Sequence, residues 1–349
     1  MQLGLLTLGD HRADPATGVR SSQADRHRDI LDYLALAEPA GFDAVFVGEH
    51  HFSDFIISAP PVFLAWLAGR TSTITLGSGV TLLPHHDPVK VAEDFATLDV
   101  VSGGRAEMWV GRGVEPKVYG HFGQDASRAV DMQQEGLELL LQLWTEASVN
   151  WTGEFRPPLD GVTLQPRPLQ YPHIPIKVAV SREESAIAAA QLGLGITLTM
   201  LAFDPDQLGP IVDTYRSAFA AAGHTHQPWV DLHAHVHVAP TSQEARNHLG
   251  VYQAPFQRWV FAKRMGRPES EIRLPARITD FASPDCAIVN GSPAEVAERV
   301  AAFTADKAID RFTYQGDYGG QPWPLVRRSL DLFGTVMDQI RVGSTTVSA

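Results

Sequence analysis

Short apolar runs alternate with longer amphipathic stretches along the chain. Residues 3–8, 44–48, 73–83, 107–111, 174–180, 195–200, 231–239 and 311–315 each predict a buried strand. Stretches 27–40, 89–101, 126–144, 183–192, 208–222, 293–305 and 324–340 carry helical spacing. Residues 241–249 start a further helix. Clear stops separate the elements. Gly41 follows the first helix, and Ser102-Gly103-Gly104 follows the second. Ser292-Pro293 with Glu295 reads as a capped helix start. The proline-rich stretch 151–173 reads as an insertion or extended loop. Stretch 251–286 reads as irregular or partly helical. Both are candidates to cover a site.

Eight strands, most followed by a helix, predict a parallel sheet with helices outside it. Eight such units close into a (β/α)8 barrel of about 250 residues. An open doubly wound sheet would carry a glycine-rich fingerprint after its first strand. Gly9-Asp10-His11-Arg12 stands there instead, which favours the α/β TIM barrel. With 349 residues, the chain reads as one barrel domain over 1–349, with insertions in the later βα loops.

Composition narrows the function. Apolar residues make up 44%, enough for a large core, and the formal charge is −12. An acidic surface argues against coating nucleic acid. The single cysteine, Cys286, excludes an intrachain disulfide and a cysteine-based metal cluster. The N-terminus lacks a basic leader, and no run approaches a membrane span. A cytoplasmic protein with no membrane partner is expected.

In a barrel, chemistry sits where strands end and βα loops begin. The strand ends carry Glu49-His50-His51, His85-His86-Asp87, Gly111-Arg112-Gly113 and Val180-Ser181-Arg182. Adjacent residues of an extended strand face opposite ways, so only one of His50 and His51 should face the cavity while the strand continues. No HExxH motif is present, and no metal is expected. His233, His235 and His237 alternate and share one face, but their ends lie roughly 13 Å apart, too far for one ion. His86 or His233 could line a substrate cavity, with Phe52, Phe55 and Trp109 as an apolar wall. Arg112 between two glycines suits an anion, a structural ion pair being the other reading. Ser181 before a helix suits an anion too, or is a plain cap. Gly77-Ser78-Gly79 inside a strand suggests either close backbone packing against a ligand or a bulge.

Several ordered segments resemble the bacterial-luciferase-like family of flavin-dependent oxidoreductases. They are Gly41-Phe42-Asp43 with Glu49-His50-His51, Gly77 through Pro84 with Asp87-Pro88-Val89-Lys90, Leu98 through Arg105, Gly111-Arg112-Gly113, Pro172 through Ala179, and Gly291 through Val296. The resemblance implies a barrel that binds FMN, or the deazaflavin F420, at its C-terminal mouth. It implies a non-proline cis bond at Gly79–Val80 beneath the flavin. It marks His50 as an active-site residue, with His86 as a second candidate, and Arg112 as a phosphate contact. Val180 and Ser181, with Glu184 or Ser185, would complete the phosphate site. Luciferases carry a reactive cysteine where this chain has Gly111, so luminescence is not expected.

The implied function is a two-component monooxygenase. Reduced FMN would come from a separate flavin reductase, and dioxygen would oxidise a mainly apolar aldehyde-like or ketone-like substrate. An F420-dependent hydride-transfer enzyme and a non-catalytic flavin-binding barrel are the alternatives. The resemblance also implies a homodimer packed through barrel helices.

Overall fold

The strands of this chain are short and buried on both faces. β2 (Ala44–Val47) is buried at every position, as expected for a parallel strand covered by helices outside and side chains inside. The computed structural model describes residues 1–305 and 307–343. β1 (Gln2–Thr7) leads through α1 (Gln23–Ala35) to β2, and α2 (Pro60–Ala68) leads to β3 (Thr75–Leu82). A 3-10 turn over Leu83–His85 and α3 (Pro88–Ser102) precede β4 (Ala106–Gly111). Then come α4 (Pro116–His121), α5 (Ala129–Thr145), and the strands β5 (Val149–Trp151) and β6 (Leu159–Val162). β7 (Ile176–Ala179), α6 (Glu183–Gln191), β8 (Gly195–Thr199), α7 (Pro205–Ala221) and β9 (Val230–Val238) continue the alternation. The chain closes with α8 (Ser242–Met265), α9 (Ala276–Thr279), β10 (Ile288–Gly291), α10 (Pro293–Thr304), β11 (Arg311–Asp317), α11 (Trp323–Gly334) and α12 (Met337–Gly343).

Among the described residues, eight parallel strands close a barrel in the order β1-β2-β3-β4-β7-β8-β9-β11, with β11 pairing back onto β1. This is the expected (β/α)8 fold. β10 lies outside the ring and pairs only with the end of β9, Ile288 opposite His235 and Gly291 opposite Val238. β5 and β6 form a separate antiparallel pair.

Local chemistry sets the helix ends. Asp87 accepts a hydrogen bond from the Val89 N–H and Pro88 opens α3, which Gly103 ends in the left-handed conformation. Ser292 and Glu295 form the expected capping box on α10.

Four elements depart from the sequence pattern. α2 is apolar almost all round, so no period marks it. α8 runs unbroken to Met265 through Pro255, burying Tyr252, Gln253, Phe256, Gln257 and Trp259 along its inner face. Tertiary packing therefore overrides a residue that usually ends a helix. β10 is only four residues long. Stretch 151–173 does not cover the mouth. Its later part lies at the opposite end, where Leu169 N, Gln170 N and Gln170 Nε2 donate to Asp99, while its start stays outside the cavity lining, with Glu154 on Arg128 and Arg156 on Asp87.

The barrel interior is layered. At the N-terminal end, Glu107 takes hydrogen bonds from Arg311 Nη1 at 2.8 Å and pairs with Lys177 Nζ at 2.7 Å. Arg311 also reaches Asp231 at 3.2 Å, and Thr313 Oγ1 donates to Asp231 at 2.9 Å. Above this layer the rings of Phe46 and Trp109 stack with centroids 4.0 Å apart. Glycine makes that stack possible: a Cβ on Gly77 would lie 2.4 Å from the Phe46 ring. Gly77 thus packs closely against the aromatic floor, while Gly79 lines the cavity above it. The β3–β4 register shifts between Gly79 and Thr81, as the bulge reading expects.

Candidate active site

A cavity of about 550 Å³ opens above the aromatic floor at the C-terminal ends of the strands. The Gly79–Val80 peptide bond, which is cis, forms part of its base. Leu6, Leu8, Phe55, Val80 and Trp109 give it apolar walls, and Phe256, Val260 and Phe261 of α8 roof it. At Gly111 a Cβ would lie 2.7 Å from Val80 Cγ2. The position that holds a cysteine in luciferases therefore has no room for a side chain here.

β2 ends at Val47, and the chain has left strand geometry before Glu49. Both His50 and His51 consequently line the cavity, since the alternation that would admit only one of them has ended with the strand. The His50 ring lies nearly parallel to Phe55, centroids 4.0 Å apart and planes 18° apart. Burial lowers its pKa to about 4, so the ring is neutral near pH 7.

Glu49 lies beneath the two histidines, 3% exposed. Its Oε1 accepts from His51 Nε2 and from His86 Nε2, each at 2.6 Å, and its Oε2 accepts from Leu82 N at 3.1 Å. Burial alone would raise this carboxyl, but the two imidazoles and the Leu82 N–H outweigh it and hold the pKa down to about 2. Burial would lower His86, but its hydrogen bond to Glu49 and that carboxylate's charge raise it instead. The three residues place one donor atom each within 4.8 Å of one another, the reach of a metal site. Two ligands on one ion at about 2.1 Å each stand roughly 3 Å or more apart. The 2.6 Å contacts are hydrogen bonds.

Arg112, just past β4, lines the rim, and among the described residues its guanidinium has no carboxylate partner. A structural ion pair is therefore not its role. Lys263 and Arg264 reach the rim from the last turn of α8. Val180 and Ser181, past the neighbouring strand β7, line the rim beside Arg112. Ser181 is not the cap of α6: Arg182 occupies that position without a side-chain hydrogen bond. Glu184 and Ser185 lie outside the lining. Ser185 Oγ donates to Arg182 O at 2.7 Å, and Glu183 and Glu184 put two acids in the first turn of α6, where they oppose an anion.

His86 is also outside the lining, drawn away onto Glu49. His233 and His235 line the cavity, while His237, further along β9 and outside the lining, meets His248 of α8 at 3.1 Å. His233 bonds Gln315 at 2.8 Å and His235 bonds Gln253. Burial lowers all three, to about 4, 3 and 3. Phe52 is not a cavity wall; it is 68% exposed on the outer groove. The contributions of Glu49 as hub and of Phe256, Gln257, Lys263 and Arg264 were hidden in sequence. Spacing by four along Tyr252, Phe256 and Val260 is the signal for the last group, and Pro255 masks it.

A largely apolar cavity at a barrel mouth, with a neutral imidazole at its wall and, among the described residues, cations without a carboxylate partner on its rim, suits a cofactor-dependent enzyme site. The family described as luciferase-like monooxygenase matches residues 1–310, and the chain belongs to this superfamily of flavin-dependent monooxygenases. It is 27% identical over 314 residues to the oxygenase component of flavin-dependent trigonelline monooxygenase from Acinetobacter baylyi, covering 86% of each chain. The crystal structure of monooxygenase RslO1 from Streptomyces bottropensis superposes with a TM-score of 0.85 at 27% identity, over 97% of this chain and 98% of that one. The fold is shared with the oxygenating constituent of 3,6-diketocamphane monooxygenase from Pseudomonas putida, solved in complex with FMN, at a TM-score of 0.75, 21% identity and 96% coverage of both chains.

Proposed function

We propose that this chain is the oxygenase component of a two-component system that uses reduced FMN and dioxygen. The observation that carries the reading is the pairing of an apolar, floor-and-roof cavity with an unpaired Arg112 at its rim. The residues fit a flavin mononucleotide: the Gly79–Val80 segment gives a base for a ring, and Arg112, Val180 and Ser181 stand where a phosphate would end. The name of the Acinetobacter relative as an oxygenase component supports a separate reductase. Reduced FMN, when bound, supplies the electrons that activate dioxygen.

The protein's own residues orient and shield. Phe55, Phe256, Val260 and Phe261 exclude water and favour a small, mainly apolar organic substrate, an aldehyde or ketone among them. His50, neutral and stacked on Phe55, accepts or returns a proton at the cavity wall. The cavity shares His50, His51, Phe55 and Lys263 with an outer groove, which gives reactants a route in and argues against an inert flavin carrier. Exposed Val62 on α2 and Val101 on α3 suit a homodimer packed through barrel helices.

The test is turnover under labelled dioxygen with a flavin reductase and NADH. One labelled oxygen atom in the product is the expected result; label found only in water or hydrogen peroxide across a panel of small aldehydes and ketones counts against the reading. One observation favours F420 as a second reading: Arg112, Lys263 and Arg264 together would suit a polyanionic tail.

A further inference from the structure

We propose that His86, Glu49 and His51 form a proton path from the protein surface to the flavin cavity. The proposal rests on the oxygenase reading above and adds a second, hydrogen-bonded route beside His50. Side-chain exposure orders the three groups: His86 is 33% exposed, Glu49 1% and His51 11%. His86 therefore meets solvent, Glu49 is sealed, and His51 lines the cavity. Both imidazoles meet the same carboxylate oxygen at 2.6 Å, so a proton can cross without any heavy atom moving. Among the described residues neither Nδ1 has a hydrogen-bond partner, and neither is sealed from solvent. Each end of the path is thus open, His86 on the solvent side and His51 where the cavity meets the outer groove.

An imidazole takes a proton at one nitrogen and releases one from the other. In the inward step His86 takes a proton from water at Nδ1 and gives its Nε2 proton to Glu49 Oε1. Glu49 passes that proton to His51 Nε2, in the tautomer that carries hydrogen on Nδ1, and His51 releases its Nδ1 proton. Each ring then carries hydrogen on its other nitrogen, and a flip of both rings resets the path. One proton moves inward and no electrons move. The chemistry needs such a supply, because a monooxygenase releases one atom of dioxygen as water inside a pocket that excludes bulk solvent.

The surroundings support a proton held at the outer end. His86 faces Glu49 from the loop after β2 and Asp94 from α3, the latter bridged to Lys90. Asp87, next in the chain, pairs with Arg156 at 3.5 Å. His51 faces the edges of His85 and His86, with centroids 6.1 and 6.2 Å away. The net field on His86 is negative, and its pKa is raised.

Two readouts test the path. In flavin-free protein, the ring nitrogens of His51 and His86 are followed by NMR against pH in the wild type, E49Q and H86Q. Removal of the Glu49 charge should lower the His86 midpoint, and H86Q should move the His51 midpoint or tautomer. In turnover, H86Q should slow kcat by about tenfold or more with KM unchanged, and added imidazole should restore the rate in proportion to its concentration. His51 titrating identically in all three proteins overturns the path. So does an H86Q enzyme with full kcat, one whose loss lies in KM, or one that imidazole does not rescue. H86Q removes a single hydrogen bond from a partly exposed ring, so it carries the test even where E49Q does not fold. The flavin-free arm decides the path even where the oxygenase reading fails.

Discussion

The floor of this barrel and the rim of its cavity treat charge in opposite ways. At the N-terminal end Glu107, Lys177, Asp231 and Arg311 are all buried, and each charge meets an opposite one. Burial would raise Glu107, but Arg311 and Lys177 hold it down to about 2. Burial and the neighbouring Glu107 raise Asp231 to about 6 despite Arg311. At the cavity rim, among the described residues, Arg112 has no ion partner, His50 makes no side-chain hydrogen bond, and Lys263 has no carboxylate and lies over the Trp259 ring at 5.2 Å. Closed charge networks hold a barrel in one arrangement; unpaired groups around a cavity are kept for something that arrives. The difference separates structural polar residues from functional ones more sharply than residue type does.

The contrast breaks most visibly under mutation. Arg311→Met leaves Glu107 and Asp231 short of a buried partner and should cost about 3–5 kcal/mol of stability. Arg112→Met, at the open end, should change stability by no more than about 0.5 kcal/mol. Urea unfolding of the two variants measures both. His50→Ala should lower kcat by about a hundredfold or more while far-UV dichroism and FMN binding stay as in the wild type. Full turnover would make His50 a packing residue. Arg112→Ala should weaken FMN about 10–100-fold and leave riboflavin, which has no phosphate, unaffected; calorimetry with the two ligands reads the difference.

The smallest effect is in acid. His237 is held at about 3 in the folded chain against 6.5 for a free ring. The folded state therefore binds fewer protons than the unfolded one between those values, and stability falls as pH drops below 6.5. One such ring contributes about 1.4 kcal/mol per pH unit in that window. Asp10 and Asp231, raised to about 6, act in the opposite sense below that pH. A melting series from pH 7 to pH 5 should thus fall less steeply in His237→Asn than in the wild type.

Much of the closed end could be read from sequence, because parallel strands announce themselves as short apolar runs. The ring order, the capping box on Ser292 and the cis Gly79–Val80 bond implied by the family likeness all appear in the structure. The open end was legible only in part. Strand ends brought His50, Arg112, Val180 and Ser181 to one mouth, and the cavity gathers them. The joining of His86 to His51 through Glu49 was not readable, since it spans 37 residues and depends on where β2 stops. The roof was hidden because Pro255 and Gly250 look like breaks, while the burial of Phe256 and Gln257 keeps the helix whole. Glu184 and Ser185 were placed by family position alone, and the first turn of α6 directs them elsewhere.

The central claim is that the open end is built for reduced FMN. A side-by-side binding titration with reduced FMN, oxidised FMN and F420 tests it most directly. The account predicts saturable binding of reduced FMN that Arg112→Ala weakens, with oxygen consumed once a reductase and NADH are added. Tight binding of F420 with no affinity for FMN in either redox state would contradict it.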